Sequence, residues 1–345
     1  MKMKWLYAGI FLCAASTLFA NMREVSFYCA RSTKNAPVLD GKLDDPCWQN
    51  AMDYTSTYEY FKPNPGPGKL KNSIKMVYTE QGLYMGLTHF DDHTDKLRIT
   101  VTERDNGNLW QDDCTEIYID SDAAGIGWRK FVINAIGTLS DIWRIDGAVT
   151  RTDWTADGWE VKVRIGKKAW YIESFWPWET LGKKAKSGDI WTFCHVRYAW
   201  GSGSFIGTTS SPGGNYAATS NFGFLCFLKE GEKNDIKNIA AVLDKKMTPP
   251  WCLGLNQDVL FNIGNGLQQT TLDAMVDEQK SRITKIFSVL KTPAKYQKED
   301  AALQKEYNNA LRNIPKSIQL VRTLNELANK AEQFQWKVAL ENDFN

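Results

Sequence analysis

The sequence predicts a mainly β protein: an antiparallel β-sandwich of immunoglobulin or jelly-roll type, followed by an α-helical C-terminal region. Three observations predict it. Between about Arg23 and Glu230 the apolar residues alternate in period two over short runs, as half-buried strands do. Clusters of Gly, Pro, Asn and Asp punctuate those runs, and no helical segments alternate with them, which favours a sandwich over a βαβ fold. From Thr271 onward the apolar residues return every three or four positions instead.

The chain has 345 residues, enough for one large or two ordinary domains. Residues 1–20 read as a signal peptide. Lys2 and Lys4 make a basic start, Trp5 to Phe19 is an apolar run too short to span a bilayer, and Ala20 offers a small residue for cleavage. Cys13 follows the bulky Leu12, which does not suit lipidation. The expected product is exported: secreted, periplasmic or held at the cell surface, with no membrane segment after cleavage.

Residues 21–230 are expected to form the sandwich. Ile74–Thr79 and Leu83–Leu87, joined through Gly82, read as a hairpin. Lys130–Gly137, Trp159–Ile165 and Thr192–Tyr198 alternate in period two, and Asn221–Leu228 closes the series. Pro63–Gly68 and Pro212–Asn215 read as turns. Residues 231–266 read as a connector containing Pro249 and Pro250. Residues 267–345 read as a helical hairpin or three-helix appendage. Leu272, Met275, Ile283, Ile286 and Leu290 line one helix, stopped at Thr292 and Pro293. Leu303, Tyr307, Ala310, Leu311 and Ile314 line a second, ended by Asn313 and Pro315. Ile318, Val321, Leu324, Ala328, Ala331 and Val338 line a third. Such stripes are core or partner surface, so these helices are candidates for docking a protein partner.

Composition narrows the function. A net charge of +2 with no basic stripe argues against nucleic acid and anionic membrane surfaces. Six cysteines remain beyond the leader (Cys29, Cys47, Cys114, Cys194, Cys226 and Cys252). They have no zinc spacing and are read equally as buried thiols or as disulfides. Eleven of the fourteen tryptophans fall between Trp48 and Trp200, a density that suits a packed core, an aromatic ligand surface, or both. Trp48, Trp159 and Trp191 occupy frame or strand-interior positions and are assigned to the core.

The run from Leu109 to Asp120 carries the most chemistry. Trp110 precedes the carboxylates Asp112 and Asp113, and an alternating strand then places Glu116 and Tyr118 on one face, with Ile117 and Ile119 on the other. An indole beside acceptor carboxylates suits a sugar ring: it packs on the C–H face while the acids accept from hydroxyls. The same acids read as a glycosidase pair only if they face each other across a cleft, and here they crowd one segment. Asp113 has a second reading, as an acceptor that orients its loop.

This region, from Ala36 to Lys229, resembles the family 9 carbohydrate-binding modules, including those attached to xylanases. The resemblance rests on an ordered set of pieces: the Asp40-Gly-Lys-Leu-Asp frame ending at Trp48, the hairpin, Phe90-Asp-Asp, Trp110–Asp120, Phe131–Ala135, Asp157–Val161 and Ser220–Leu225. It implies non-catalytic binding of a sugar or oligosaccharide clamped between two rings, in service of polysaccharide breakdown. The first ring carries over to Trp110, the motif's glutamate to Glu116, and the second ring, six residues before the final Phe-Gly, to Tyr216. Asp113 completes the ligand-binding set. The xylanase-type arginine two residues before the central-strand Asn is absent, since Val132 stands there before Asn134, so the identity of the sugar is open.

Three further readings follow. The resemblance suggests structural calcium, for which Asp91, Asp92, Asp95, Asp120 and Asp122 supply oxygens but no Asp-x-Asp-x-Asp-Gly loop. A haem-binding sandwich of the related cytochrome type would draw on His195 with Met76 or Met85. A glycoside hydrolase would draw on Asp112, Asp113 and Glu116.

Overall fold

The computed structural model describes residues 22–344 except 63, 64, 214, 233–235, 256 and 315. The leader, residues 1–20, lies outside the described residues, as do Pro63 and Gly214 of the expected turns. The described residues divide into two compact units, one within residues 25–232 and one of residues 22–24 with 236–344.

The first unit is one mostly antiparallel sheet curled into a sandwich-like half-barrel. Its strands are β2 (Phe27–Ser32), β3 (Tyr58–Glu59), β4 (Asn72–Tyr78), β5 (Gly82–Phe90), β6 (Cys114–Asp120), β7 (Trp128–Asn134), β8 (Leu139–Arg144), β9 (Thr150–Arg151), β10 (Glu160–Ile165), β11 (Ala169–Pro177), β12 (Ile190–Ala199), β13 (Ile206–Thr209) and β14 (Gly223–Leu228). The order is β10-β11-β5-β4-β2-β14-β12-β6-β7-β8-β9, with β13 on β12 and β3 on β13. The expected hairpin is β4–β5, in register Met76 to Met85. The sheet is not purely antiparallel, because β2 lies parallel to both β14 and β4. Those partners are far away in sequence, and only long connections allow parallel neighbours. Strand β11 was not visible as an alternating run because it buries residues on both faces.

Curling gives the sheet an inner face. Trp159, Trp170, Trp176, Trp178, Trp191, Phe131, Phe193, Ile117 and Ile119 share one buried cluster there. Trp48, in the short helix Pro46–Gln49, packs separately with Val77 and Tyr84. Its indole N–H donates to buried Glu173 (2.9 Å), whose other oxygen accepts from the N–H groups of Asp40 (2.8 Å) and Gly41 (2.7 Å). One carboxylate therefore holds the whole Asp40-to-Trp48 frame. Gly41 has a φ of +80° with the Arg164 Cβ 2.9 Å from where its own would stand, so glycine is required.

At one end of the core the interior turns polar. His89 and His195 are fully buried with their Nε2 atoms 3.1 Å apart. Beyond them buried Arg197 donates to Asp91 (2.7 Å) and to the Phe90 carbonyl (2.8 Å). Burial, then the Arg197 charge, holds both imidazoles below their ordinary range, His195 down to about 3. This geometry gives the haem reading no support: the two Nε2 atoms engage one another, and Met76 and Met85 pack in the aromatic core.

The second unit has a small sheet in the order β1-β15-β16-β17, from Arg23–Val25, Trp251–Leu255, Asp258–Asn262 and Leu267–Thr271. The segment read as a connector thus carries the helix Ile236–Lys246 and two of these strands. Long helices follow at Leu272–Val289, Gln297–Asn313 and Ile318–Phe344. Thr271 caps the first, its hydroxyl oxygen accepting from the Ala274 N–H. The apolar stripes meet in one core with Val259 and Phe261. Arg282 crosses between helices to Asn325 (2.9 Å), Asn329 (3.1 Å) and Glu332 (2.8 Å). The six described cysteines are free thiols.

The histidine pair predicts an acid-sensitive fold. In the unfolded chain both imidazoles take up protons as pH falls below about 6.5, whereas in the folded chain they stay neutral to far lower pH. Stability is therefore full well above that point and declines from about pH 7 towards pH 4, by up to about 1.4 kcal/mol per pH unit per imidazole. Urea melts across that range should show a His195→Gln variant with a shallower decline than wild type. Parallel profiles would remove the pair as the cause.

Candidate functional site

Strand β6 separates two environments. Ile117 and Ile119 enter the inner core, while Cys114 and Tyr118 face a second cluster with Val101, Leu109, Val132, Cys194, Val196, Tyr198, Tyr216 and Phe222. Every sequence-assigned site residue lies on or beside this second face.

Trp110 sits on the short 3₁₀ turn Leu109–Gln111 that leads into β6. Leu109 is buried in the second cluster and anchors the turn, whereas Trp110 is 47% exposed. Asp112 and Asp113 follow, both fully buried. Asp112 accepts from the Thr100 N–H (2.8 Å) and hydroxyl (2.6 Å), the Val101 N–H (2.9 Å) and the Asn134 amide (3.1 Å). Asp113 accepts from the N–H groups of Arg98 (2.7 Å) and Trp200 (3.0 Å). Burial raises the Asp113 carboxyl above its usual range, and these N–H groups pull it back.

The pair thus ties the 98–101 segment and the start of the loop after β12 to the root of the Trp110 turn. Of the two readings for Asp113, the geometry favours the loop-orienting one, since its oxygens meet backbone rather than open space. The same placement takes Asp112 and Asp113 out of a glycosidase acid–base role.

Glu116 is 4% exposed and partnered: it accepts from the Tyr118 hydroxyl (2.6 Å) and pairs with Lys130 Nζ (3.2 Å). Lys130 is a residue that sequence reasoning missed. Two positions upstream of Val132 on β7, it shares that residue's face and brings a cationic donor to the neighbourhood where the missing arginine was expected. Period-two counting from Val132 would have found it.

Tyr216 is 9% exposed. Its ring packs against Tyr60 (5.2 Å between centroids), Phe61 (6.0 Å) and Tyr118 (6.0 Å). Its hydroxyl lies 2.9 Å from that of Tyr198 and 3.3 Å from that of Tyr60. Burial, and then the nearby Glu116 charge, push the Tyr216 and Tyr198 phenols well up. Tyr216 is therefore a member of a tyrosine cluster rather than a freely projecting ring. No ring contact joins it to Trp110 among the described residues. Open rings adjoin this cluster at Phe61, against Tyr216, and at Phe205, against Tyr60 and Tyr198; neither carried a sequence motif.

Among the calcium candidates, Asp91 is engaged by Arg197 and the His93 N–H, and Asp120 by the N–H groups of Asp122 and Gly125. Among the described residues no group of three or more His, Cys, Asp or Glu is placed to hold a metal ion.

Residues 39–230 match a family model described as carbohydrate family 9 binding domain-like. Three solved structures are similar in part. A family 9 carbohydrate-binding module from Caldicellulosiruptor kristjanssonii, in complex with cellotriose, is 16% identical; the match covers 60% of this chain and 96% of that one, at a TM-score of 0.45. A module of that family from the same organism in complex with glucose is 16% identical over 61% and 100%, at 0.43. A candidate carbohydrate-binding protein from Bacteroides uniformis is 14% identical over 59% and 99%, at 0.47. No curated protein matches.

Asp113→Asn should destabilise the fold by about 1–3 kcal/mol, because the amide turns an N–H donor towards backbone N–H groups that need acceptors. Chemical denaturation measures this, and an unchanged midpoint would show that Asp113 does not hold the loops.

Proposed function

The chain belongs to the carbohydrate family 9 binding domain-like family, a family of non-catalytic sugar-binding modules, and from that premise we propose which residues hold the sugar. Trp110 is the stacking platform: its indole takes the C–H face of a pyranose ring. The Glu116–Lys130 pair supplies an acceptor and a cationic donor for hydroxyl groups entering from the same face. Tyr216 acts as a wall through the cluster it forms with Tyr60 and Tyr198, and Asp113 acts through the loops it fixes.

The observation that carries this reading is the exposure of Trp110. A tryptophan otherwise drawn into a core stands open at the head of a turn whose root two buried carboxylates hold. A rigid ring already in place loses little freedom on binding, so few contacts suffice for useful affinity.

Export is part of the proposal. It is supported by the basic start and short apolar run of residues 1–20, and no described helix is long and apolar enough to cross a membrane. The C-terminal helices are assigned first to their own core, which their apolar stripes fill, and second to a protein partner.

Trp110→Ala should weaken glycan binding at least about tenfold while leaving the thermal midpoint within about 2 °C. A glycan array with and without calcium finds the sugar, and calorimetric titration of wild type and variant then measures the loss. Undiminished binding by the variant would move the site elsewhere.

A further inference from the structure

We propose that Phe61, Tyr60 and Phe205 form a second carbohydrate subsite, so that the ligand class is an oligosaccharide chain rather than a free sugar. The proposal rests on the reading of Trp110 as the primary platform. It adds to that reading the exposure, spacing and backbone of Phe61, Tyr60 and Phe205.

Phe61 is 58% exposed and Phe205 39%, and half-buried Tyr60 lies between them. The ring centroids are 5.6 Å apart from Phe61 to Tyr60 and 5.5 Å from Tyr60 to Phe205. Trp200 continues the strip at 5.0 Å from Phe205, with the Arg98 guanidinium 4.9 Å above its indole. Trp200 and Arg98 are the two residues whose N–H groups Asp113 holds, at the root of the Trp110 turn. Asp113 thus ties the backbone at the Trp200 end of the strip to the root of the turn that carries Trp110, and Tyr216 contacts Phe61 at the other end.

Two features show that the exposure is built in. Gly207, on β13, stands where an added Cβ would come within 2.6 Å of Tyr60 and 2.9 Å of Phe205, so this close approach of strand and rings needs glycine. Phe61 has a φ of +56°, the left-handed region that a bulky residue occupies only at a cost. Burial does not repay that cost, because the ring faces solvent. An aromatic residue held strained and open beside a binding face is the pattern of a ligand clamp. Apolar ring faces with a guanidinium at one end match the C–H faces and hydroxyl edges of successive pyranose units.

The test is titration of the full chain with glucose and cellotriose, xylose and xylotriose, and mannose and mannotriose. Wild type should bind the trisaccharide of its preferred sugar about three- to tenfold more tightly than the monosaccharide. Phe61→Ala and Phe205→Ala should each lose much of that increment and keep the monosaccharide affinity, whereas Trp110→Ala should lose both. Phe61→Gly supplies a readout that a packing role would not produce. Glycine relieves the positive φ, so the thermal midpoint should hold or rise while the trisaccharide increment disappears.

Equal affinity of wild type for monosaccharide and trisaccharide would overturn the second subsite and leave the first. So would a Phe61→Ala variant that keeps the full increment or loses both affinities in parallel, or a Phe61→Gly variant that melts lower. Failure of wild type to bind any of the six sugars would overturn the primary site together with the second.

Discussion

Two neighbouring carboxylates buried without solvent govern the face that carries the Trp110 turn. A carboxylate taken out of water costs several kcal/mol unless hydrogen-bond donors replace the lost hydration. Asp112 and Asp113 meet that demand with donors from Arg98, Thr100, Val101, Asn134 and Trp200. Because those donors belong to three separate stretches of chain, satisfying the charge also fixes the stretches relative to one another. The position of Trp110 follows, since its turn leaves directly from this knot. So does that of Trp200, which reaches the rim through its own backbone N–H.

The same device recurs at the other side of the first unit. Glu173 is buried and meets the indole N–H of Trp48 together with the N–H groups of Asp40 and Gly41. In each case a buried acid gathers a loop that has little apolar surface of its own. The sheet then uses its two faces for different purposes. The inner face is filled by tryptophans and aliphatic residues that need only volume and dryness. The outer face around β6, β7 and β12 carries Glu116, Lys130 and a set of tyrosines whose hydroxyls bond to one another, leaving few rings open to solvent. Those open rings are Trp110, Phe61 and Phe205.

Much of this was legible in the residues. Period two placed β6, β7, β10 and β12 and put Ile117 and Ile119 opposite Glu116 and Tyr118, because pleating sends alternate side chains to opposite faces whatever the partner strands are. Period 3.6 placed the three long helices for the equivalent reason. Trp48, Trp159 and Trp191 were assigned inside and are buried there. Other elements left no local signal. Strand β11 is buried on both faces and so loses its alternation, and the parallel pairings of β2 join segments remote in sequence. The strands within residues 251–271 are short and lie beside prolines and glycines that read as linker.

By itself, then, the sequence determined the quantities that depend on near neighbours: strand and helix periods, the face each side chain takes, the caps and turns, and a tryptophan beside two acids. Tertiary structure decided which of those groups meet solvent and which meet one another. It turned Asp113 towards backbone N–H groups, drew Tyr216 into a cluster of phenols, brought Lys130 to Glu116, and left Phe61 and Phe205 open on a rim. The physical reason is that exposure and charge pairing arise from contacts between segments far apart in the chain, which no local pattern encodes.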